Sequence, residues 1–217
     1  MNLFIETLST NPQLFFVQVF VVVFSICCHE YSHARVALWQ GDSTARDQGH
    51  LTLNPLKQMG IYSLVILAFV GIAWGKVPVD PERMKNKYSH ALVSFAGPAM
   101  NVVLFALFTI AFSIILSDLE TFNPETIFSD HPILMLTKIG AVFNIVLFVF
   151  NMLPVPMLDG WAVFSYFFPK LGQGKSEFFN GFSVFICFLA IMGINYLVIG
   201  ADYTFGFFVN ILLLIGN

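Results

Sequence analysis

The sequence predicts an all-α polytopic membrane protein with about five transmembrane helices, one re-entrant segment and one short β-hairpin. Of its 217 residues, 57% are apolar and 11% are charged, and the mean hydropathy is +0.79. Soluble domains are closer to half apolar and a quarter charged. We expect a single integral membrane domain over residues 1–217, with its core at about 14–168 and C-terminal helices at about 178–215.

The predicted spans are the long apolar runs, because about 20 apolar residues are needed to cross a hydrocarbon core of about 30 Å. They are Leu14–Leu38, Ala91–Leu116, Ile133–Leu153, Phe178–Ile199 and the shorter Tyr203–Ile215.

The apolar run Ile61–Trp74 is too short to cross as a helix. Basic residues precede it (Arg46 and Lys57) and follow it (the Lys76–Lys87 loop), and basic loops face the cytoplasm. Both ends are therefore expected on one side, so we expect this run to dip into the membrane and return. Between the first span and this dip, Gly49–Pro55 alternates in polarity, which predicts the short hairpin.

The loop Asp118–Asp130 is acidic and contains no Lys or Arg, so it is expected on the side away from the cytoplasm. The span Ile133–Leu153 then returns, and its C-terminal end lies near the same membrane face as the C-terminal end of Leu14–Leu38. No basic patch indicates nucleic acid binding.

Within the first span lies His29-Glu30-Tyr31-Ser32-His33. Two imidazoles four residues apart lie on one face of a helix and can offer two nitrogens to one metal ion. The intervening Glu30 can then act on a water that the metal activates. Charged and imidazole groups in an apolar segment are costly to place in lipid, which favours a functional interpretation.

Asp159 is the best candidate for a third ligand. It follows the span Ile133–Leu153, and Pro154 and Pro156 stop the helix and restrict the chain before it. Gly160 permits a tight turn. The alternative is that Asp159 only caps the helix that starts near Trp161.

Several spaced motifs, taken together, resemble the site-2 proteases, which are intramembrane zinc metalloproteases. His29–His33 matches their HExxH pattern, and Gly97–Asn101 is similar to the Gly-Pro-x-x-Asn run of their middle helix. Asn151, Pro154 and Asp159-Gly160 match their second pattern. Gly41–Leu56 and Val77–Pro81 resemble the compact bacterial branch that has no PDZ domain.

This resemblance covers about Cys27–Trp161 and implies residue roles. It implies that His29, His33 and Asp159 bind Zn²⁺, that Glu30 is the catalytic base, and that Asn151 engages the substrate backbone or the oxyanion. It also implies a zinc-dependent endopeptidase in the bacterial inner membrane, with its active site toward the cytoplasm. Its partners would be the lipid bilayer and single-span membrane protein substrates.

Three further expectations accompany this interpretation. An exposed hairpin edge near Leu51–Leu53 could bind the unwound substrate as an added strand. Trp161 replaces a glycine expected in many relatives and adds bulk near the metal loop. The alternatives are a non-catalytic membrane protein with a structural metal site and a transporter or haem-binding bundle. Haem ligation requires histidines on facing helices, and a structural zinc site would not need Glu30.

Overall fold

The structure, a computed structural model, describes residues 3–119, 131–169 and 193–216. Helices account for nearly all of the regular structure in these ranges. They are α1 (Glu6–Thr10), α2 (Pro12–Trp39), α3 (Thr44–Asp47), α4 (Pro55–Gln58), α5 (Gly60–Val70), a 3-10 turn (Pro81–Arg83), α6 (Ser89–Ser117), α7 (Pro132–Asn151), α8 (Asp159–Phe167) and α9 (Ile194–Gly216).

Four of the helices in the described ranges are long and apolar enough to cross a membrane: α2, α6, α7 and, over Asn195–Ile215, α9. The first three confirm the predicted spans to within a few residues at each end. At a rise of 1.5 Å per residue, the 28 residues of α2 extend about 42 Å. The chain is therefore an integral membrane protein.

The predicted break between the last two apolar runs is wrong. Helix α9 continues through Gly200, Ala201 and Asp202 without interruption. One glycine costs a helix only about 1 kcal/mol, and the Asp202 carboxylate forms an ion pair with Lys138 of α7 at 3.2 Å. Most of the predicted span Phe178–Ile199 lies outside the described residues.

Helix α5 and the chain after it form a segment that returns to its own starting point. The helix has 11 residues, about 16 Å, and ends at Gly71 in the left-handed conformation (φ 83°). The backbone N–H of Lys76 then donates to the carbonyl of Gln58 at 3.0 Å. The Ser63 hydroxyl bridges to the N–H and the carbonyl of Trp74. The two ends of this segment therefore lie side by side, as expected for a run that dips into the membrane and returns to the same side.

The β-hairpin predicted at Gly49–Pro55 is not formed, and no strand occurs in the described ranges. The carbonyls of His50 and Thr52, which a partner strand would otherwise bind, accept hydrogen bonds from the side-chain amide of Gln58. Gln58 itself is 1% exposed. The alternating pattern therefore belongs to an irregular loop that a buried glutamine holds.

Asp42 connects the turn after α2 to the chain before α6. Its side chain is fully buried and accepts hydrogen bonds from the N–H of Thr44 at 2.9 Å and of Asp80 at 2.7 Å. Burial alone raises the pKa of the Asp42 carboxyl. The hydrogen bonds from Thr44 and Asp80 outweigh burial and lower that pKa below its usual range.

Helix α6 is the centre of the bundle. It contacts α2, α7, α8 and α9, whereas α2 also contacts α7. One apolar cluster joins α6, α7 and α9 around Phe105, Phe112 and Phe205, and another packs α5 against α2 through Leu67 and Cys27. This arrangement brings the C-terminal half of α2 between α6 and the segment that follows α5.

Candidate metal centre

His29 and His33 lie on the buried face of α2. They are 6% and 7% exposed, and one helical turn separates them, so their rings meet at a centroid distance of 4.6 Å. Their Nε2 atoms approach to 2.9 Å. The helix therefore presents two imidazole nitrogens at a single point inside the protein.

Asp159 is brought to the same point by the start of α8. The loop after α7 contains Pro154 and Pro156, and Met157 adopts a left-handed conformation (φ 87°). Gly160 lies so close to the carbonyl of Met152 that a Cβ there would overlap it. The Asp159 Oδ2 atom consequently lies 3.0 Å from His29 Nε2 and 3.3 Å from His33 Nε2.

The other ring nitrogens of the two histidines have acceptors. His33 Nδ1 lies 2.7 Å from the carbonyl oxygen of Val93, and His29 Nδ1 lies 2.7 Å from Oδ1 of Asn101. An oxygen of this kind only accepts, so each Nδ1 carries the proton and each Nε2 keeps its lone pair. Ligating histidines use this same arrangement, with the second nitrogen bonded to a carbonyl or carboxylate.

The donor set fits a divalent cation. When both imidazoles are neutral, two lone-pair nitrogens and a carboxylate oxygen converge here. Their spacings of 2.9 to 3.3 Å resemble the roughly 3.3 Å that tetrahedral zinc bonds of about 2.0–2.2 Å produce. Among the described residues, His29, His33 and Asp159 form the one group of three His, Cys, Asp or Glu with this convergence.

Gly97 of α6 leaves the space in front of this group open. A Cβ at this position would overlap the Nε2 atoms of both His29 and His33. Gly75 has the same relation to Glu30, since a Cβ there would overlap the Glu30 carboxyl. The sequence analysis placed Gly97 in a motif but did not predict that it makes room for the two histidines. It did not single out Gly75 at all. Nothing in one sequence shows which side chain a glycine faces.

The group opens into a cavity of about 420 Å³. Glu30, which is 9% exposed, contributes its carboxyl to the wall of this cavity, and Asn151 at the end of α7 lines it as well. The five predicted ligand and catalytic residues therefore line one cavity; they are His29, Glu30, His33, Asn151 and Asp159. Trp161, in the first turn of α8, does not line it.

The chain between α5 and the 3-10 turn forms another wall. Gly75, Val77 and Val79 line the cavity, and within the described structure none of their backbone N–H groups has a hydrogen-bond acceptor. The alternate residues Trp74, Lys76 and Asp80 direct their N–H groups to the protein. This stretch is not part of a strand, but it presents three unpaired N–H groups along one edge beside Glu30.

Three bacterial proteins are similar in sequence to this chain. YwhC of Bacillus subtilis is 34% identical over 192 residues, which cover 82% of this chain and 80% of YwhC. Rip2 of Mycolicibacterium smegmatis is 33% identical over 171 residues, and Rip2 of Mycobacterium tuberculosis is 32% identical over 170. Each is named "Putative zinc metalloprotease".

The aligned part of this chain spans 60% of the length of the Rip2 proteins. No family model matches the chain. No solved structure matches it either.

Proposed function

Because the chain belongs to the site-2 protease family of zinc metalloproteases, we propose that it hydrolyses peptide bonds within transmembrane helices of other proteins. The cofactor is Zn²⁺. The convergence of three lone-pair atoms from His29, His33 and Asp159 inside a closed bundle supports this proposal more than any other observation.

We assign His29, His33 and Asp159 as the zinc ligands. Three protein ligands with one open position are typical of catalytic zinc, whereas structural sites use four. When bound, Zn²⁺ would lower the pKa of a water from about 15.7 toward 7 and would polarise a carbonyl. The histidines hold their lone pairs toward the ion because Val93 and Asn101 bind their Nδ1 protons.

Glu30 is the proposed general base. Its carboxyl lines the ligand cavity, packs against Gly75 and comes from the same helix as the two histidines. It takes the proton that the attacking water loses and delivers it to the nitrogen of the departing amine. A group that carries this proton contributes roughly 10²- to 10⁴-fold to the rate.

Asn151 is the proposed donor to the oxyanion. It ends α7 at the cavity wall, and its side-chain N–H group is the kind of donor that stabilises the negative oxygen formed during attack. Removal of one such donor costs about 3 kcal/mol in comparable sites.

A transmembrane helix must be locally unwound before its peptide bond can be attacked, because its backbone groups are hydrogen-bonded to one another. The extended chain needs new partners within a largely apolar environment. The unpaired N–H groups of Gly75, Val77 and Val79 provide them, so the substrate is proposed to add as a strand to this edge. This edge replaces the Leu51–Leu53 edge expected from the sequence, since no hairpin forms there.

The proposed location is the bacterial inner membrane, with the cavity toward the cytoplasm. The basic residues that support this orientation lie in the short helices and loops between α2 and α6; they are Arg46, Lys57, Arg83, Lys85 and Lys87. Short loops rich in Lys and Arg stay on the cytoplasmic side. The ligand cavity opens near these loops, because Lys76 and Val79 belong to its wall.

A non-catalytic protein that retains a structural metal site is the alternative. Such a site closes its fourth position and has no use for a buried carboxylate beside it. The cavity of about 420 Å³ and Glu30 at its wall favour the enzyme.

The test uses purified full-length protein with a panel of single-span membrane proteins, and mass spectrometry to locate cleaved bonds. We expect cleavage within a transmembrane segment, its loss after chelation and its return on addition of Zn²⁺. Cleavage that persists after complete removal of the metal would overturn the proposal, as would cleavage restricted to soluble loops.

A further inference from the structure

We infer that Asn144, supported by Ser25, is a positioning residue that decides which ring nitrogen of His29 faces the metal. Neither side chain touches the ligand cavity. The inference rests on the proposed zinc site. It assigns Asn144 on α7 and Ser25 on α2 to the indirect control of one ligand, His29.

The orientation of the Asn144 amide is fixed by a backbone carbonyl. Its Nδ2 atom lies 2.8 Å from the carbonyl oxygen of Gly140 and 2.9 Å from the hydroxyl oxygen of Ser25. A carbonyl oxygen can only accept, so the amide atom facing it must be nitrogen. The opposite atom, Oδ1, is therefore directed toward α6.

The Asn144 oxygen in turn fixes the orientation of the Asn101 amide. Nδ2 of Asn101 donates to Oδ1 of Asn144 at 2.9 Å, which leaves Oδ1 of Asn101 facing His29 Nδ1 at 2.7 Å. His29 must therefore carry its proton on Nδ1. Its Nε2 lone pair then points to Asp159 and His33.

Water cannot substitute for any member of this chain of hydrogen bonds. Ser25, Asn101 and Asn144 are all 0% exposed, and they come from three different helices. A buried amide that loses its partner costs about 1–3 kcal/mol unless it finds another. Without Asn144, one atom of the Asn101 amide is unpaired in either orientation, so nothing favours the orientation in which its oxygen faces His29.

The two histidines differ in how firmly the acceptor of their Nδ1 proton is fixed. His33 donates to the Val93 carbonyl, a backbone group that cannot reverse its polarity. His29 relies on a side-chain amide that a half-turn would convert from acceptor to donor. Without the Asn144 oxygen, the Asn101 NH₂ group can turn to His29 Nδ1, the proton moves to Nε2, and that nitrogen can no longer bind a cation.

The direct test is the tautomer of His29 in chelator-treated protein. Histidine labelled with ¹⁵N gives different nitrogen shifts for the Nδ1–H and Nε2–H forms, and the His29 signals are assigned by their absence in His29→Gln. We expect the Nδ1–H form in the wild type and a shift toward Nε2–H in Asn144→Leu. An Nδ1–H form that persists in Asn144→Leu would overturn the inference.

The matched control is Thr137→Val. Thr137 is also buried on α7, but within residues 3–119, 131–169 and 193–216 its hydroxyl bonds only to the carbonyls of Ile133 and Leu134 in its own helix. We expect the wild-type tautomer and zinc affinity in this variant. If Thr137→Val shifts the tautomer as far as Asn144→Leu does, general loosening of α7 explains the effect and the inference fails.

Zinc affinity, measured by competition with a chelator and with Zn²⁺ alone as the probe, gives a second readout. Loss of a residue that orients a ligand typically weakens metal binding about 10- to 100-fold. If Asn144 acts through Asn101, the double variant Asn101→Leu/Asn144→Leu binds zinc as weakly as Asn101→Leu alone. If the loss of zinc affinity in the double variant equals the product of the two single losses, Asn144 and Asn101 act independently and the inference is overturned.

Ser25→Ala keeps the test decisive if Asn144→Leu does not fold. It removes one of the two acceptors of Asn144 Nδ2, so a smaller shift in the same direction is expected, and no shift counts against the inference. Failure of the proposed function looks different: the wild-type tautomer would be as described, yet the wild type would bind no zinc.

Discussion

The Nε2 atoms of His29 and His33 lie 2.9 Å apart, although both rings carry their proton on the opposite nitrogen. Two lone pairs at this distance repel each other, and the carboxylate of Asp159 adds a third. The arrangement is favourable only when a positive charge lies among the three atoms. A cation bound there relieves this repulsion and adds to the stability of the folded bundle.

Gly97→Ala should abolish zinc binding while leaving the fold intact. The new Cβ would overlap both Nε2 atoms, and the helix itself tolerates alanine better than glycine. Zinc content per chain, measured by atomic spectroscopy after gel filtration, checks this. The control Gly200→Ala meets no atom of the described residues within 4 Å and should keep its zinc. A zinc-loaded, active Gly97→Ala protein would contradict the site geometry.

Glu30→Gln should retain zinc and lose cleavage. Glutamine keeps the shape of the side chain beside Gly75 but cannot accept the proton of the attacking water. We expect the cleavage rate to fall by about 10²- to 10⁴-fold. Zinc content and cleavage of a membrane substrate are measured on the same sample. Wild-type cleavage in this variant would remove Glu30 from its proposed role.

Asp159→Ala should weaken zinc binding without unfolding the bundle. It removes the only ligand that α8 supplies and leaves His29 and His33 on α2 in place. Titration with a chelator should release zinc from this variant at lower chelator concentrations than from the wild type. Asp47→Ala, at an exposed carboxylate paired with Arg46, is the control and should behave as the wild type.

Val77→Pro should slow cleavage with zinc content unchanged. Proline removes one N–H group from the unpaired edge at the cavity wall, and the surrounding chain is already non-helical. One lost hydrogen bond of about 0.5–1.5 kcal/mol corresponds to as much as about tenfold in kcat/KM. Val77→Thr keeps the N–H group and should cleave normally. Equal rates for the two variants would argue against strand addition.

Asp42→Asn should lower the Tm in detergent near neutral pH, since one of the two N–H groups would then face an NH₂ group. The expected loss is about 1–3 kcal/mol. The pKa of Asp42 is lowered by folding, so its contribution is complete above its unfolded pKa of about 3.9 and is lost as the pH falls through the folded value.

The difference in Tm between wild type and Asp42→Asn should therefore narrow below about pH 4. Thermal unfolding followed at several pH values provides the measurement. A difference that stays constant down to pH 3 would show that the carboxylate charge is not the cause.

The sequence alone determined the membrane class, three of the long helices and the candidate ligands. Apolar runs of about 20 residues have few alternatives to a spanning helix, and the spacing of His29 and His33 places them on one helical face. The charge of the flanking loops predicted that Ile61–Trp74 returns to its own side, and the chain there does fold back on itself.

Only the tertiary structure decided what surrounds those residues. The hairpin was wrong because the side chain of Gln58, which lies after the alternating stretch, binds the carbonyls that a partner strand would have used. The roles of Gly97, Asn101 and Asn144 depend on which helices meet at His29, and the period of one helix carries no information about its neighbours. Side-chain spacing within a helix is local geometry, whereas convergence between helices depends on how the whole bundle packs.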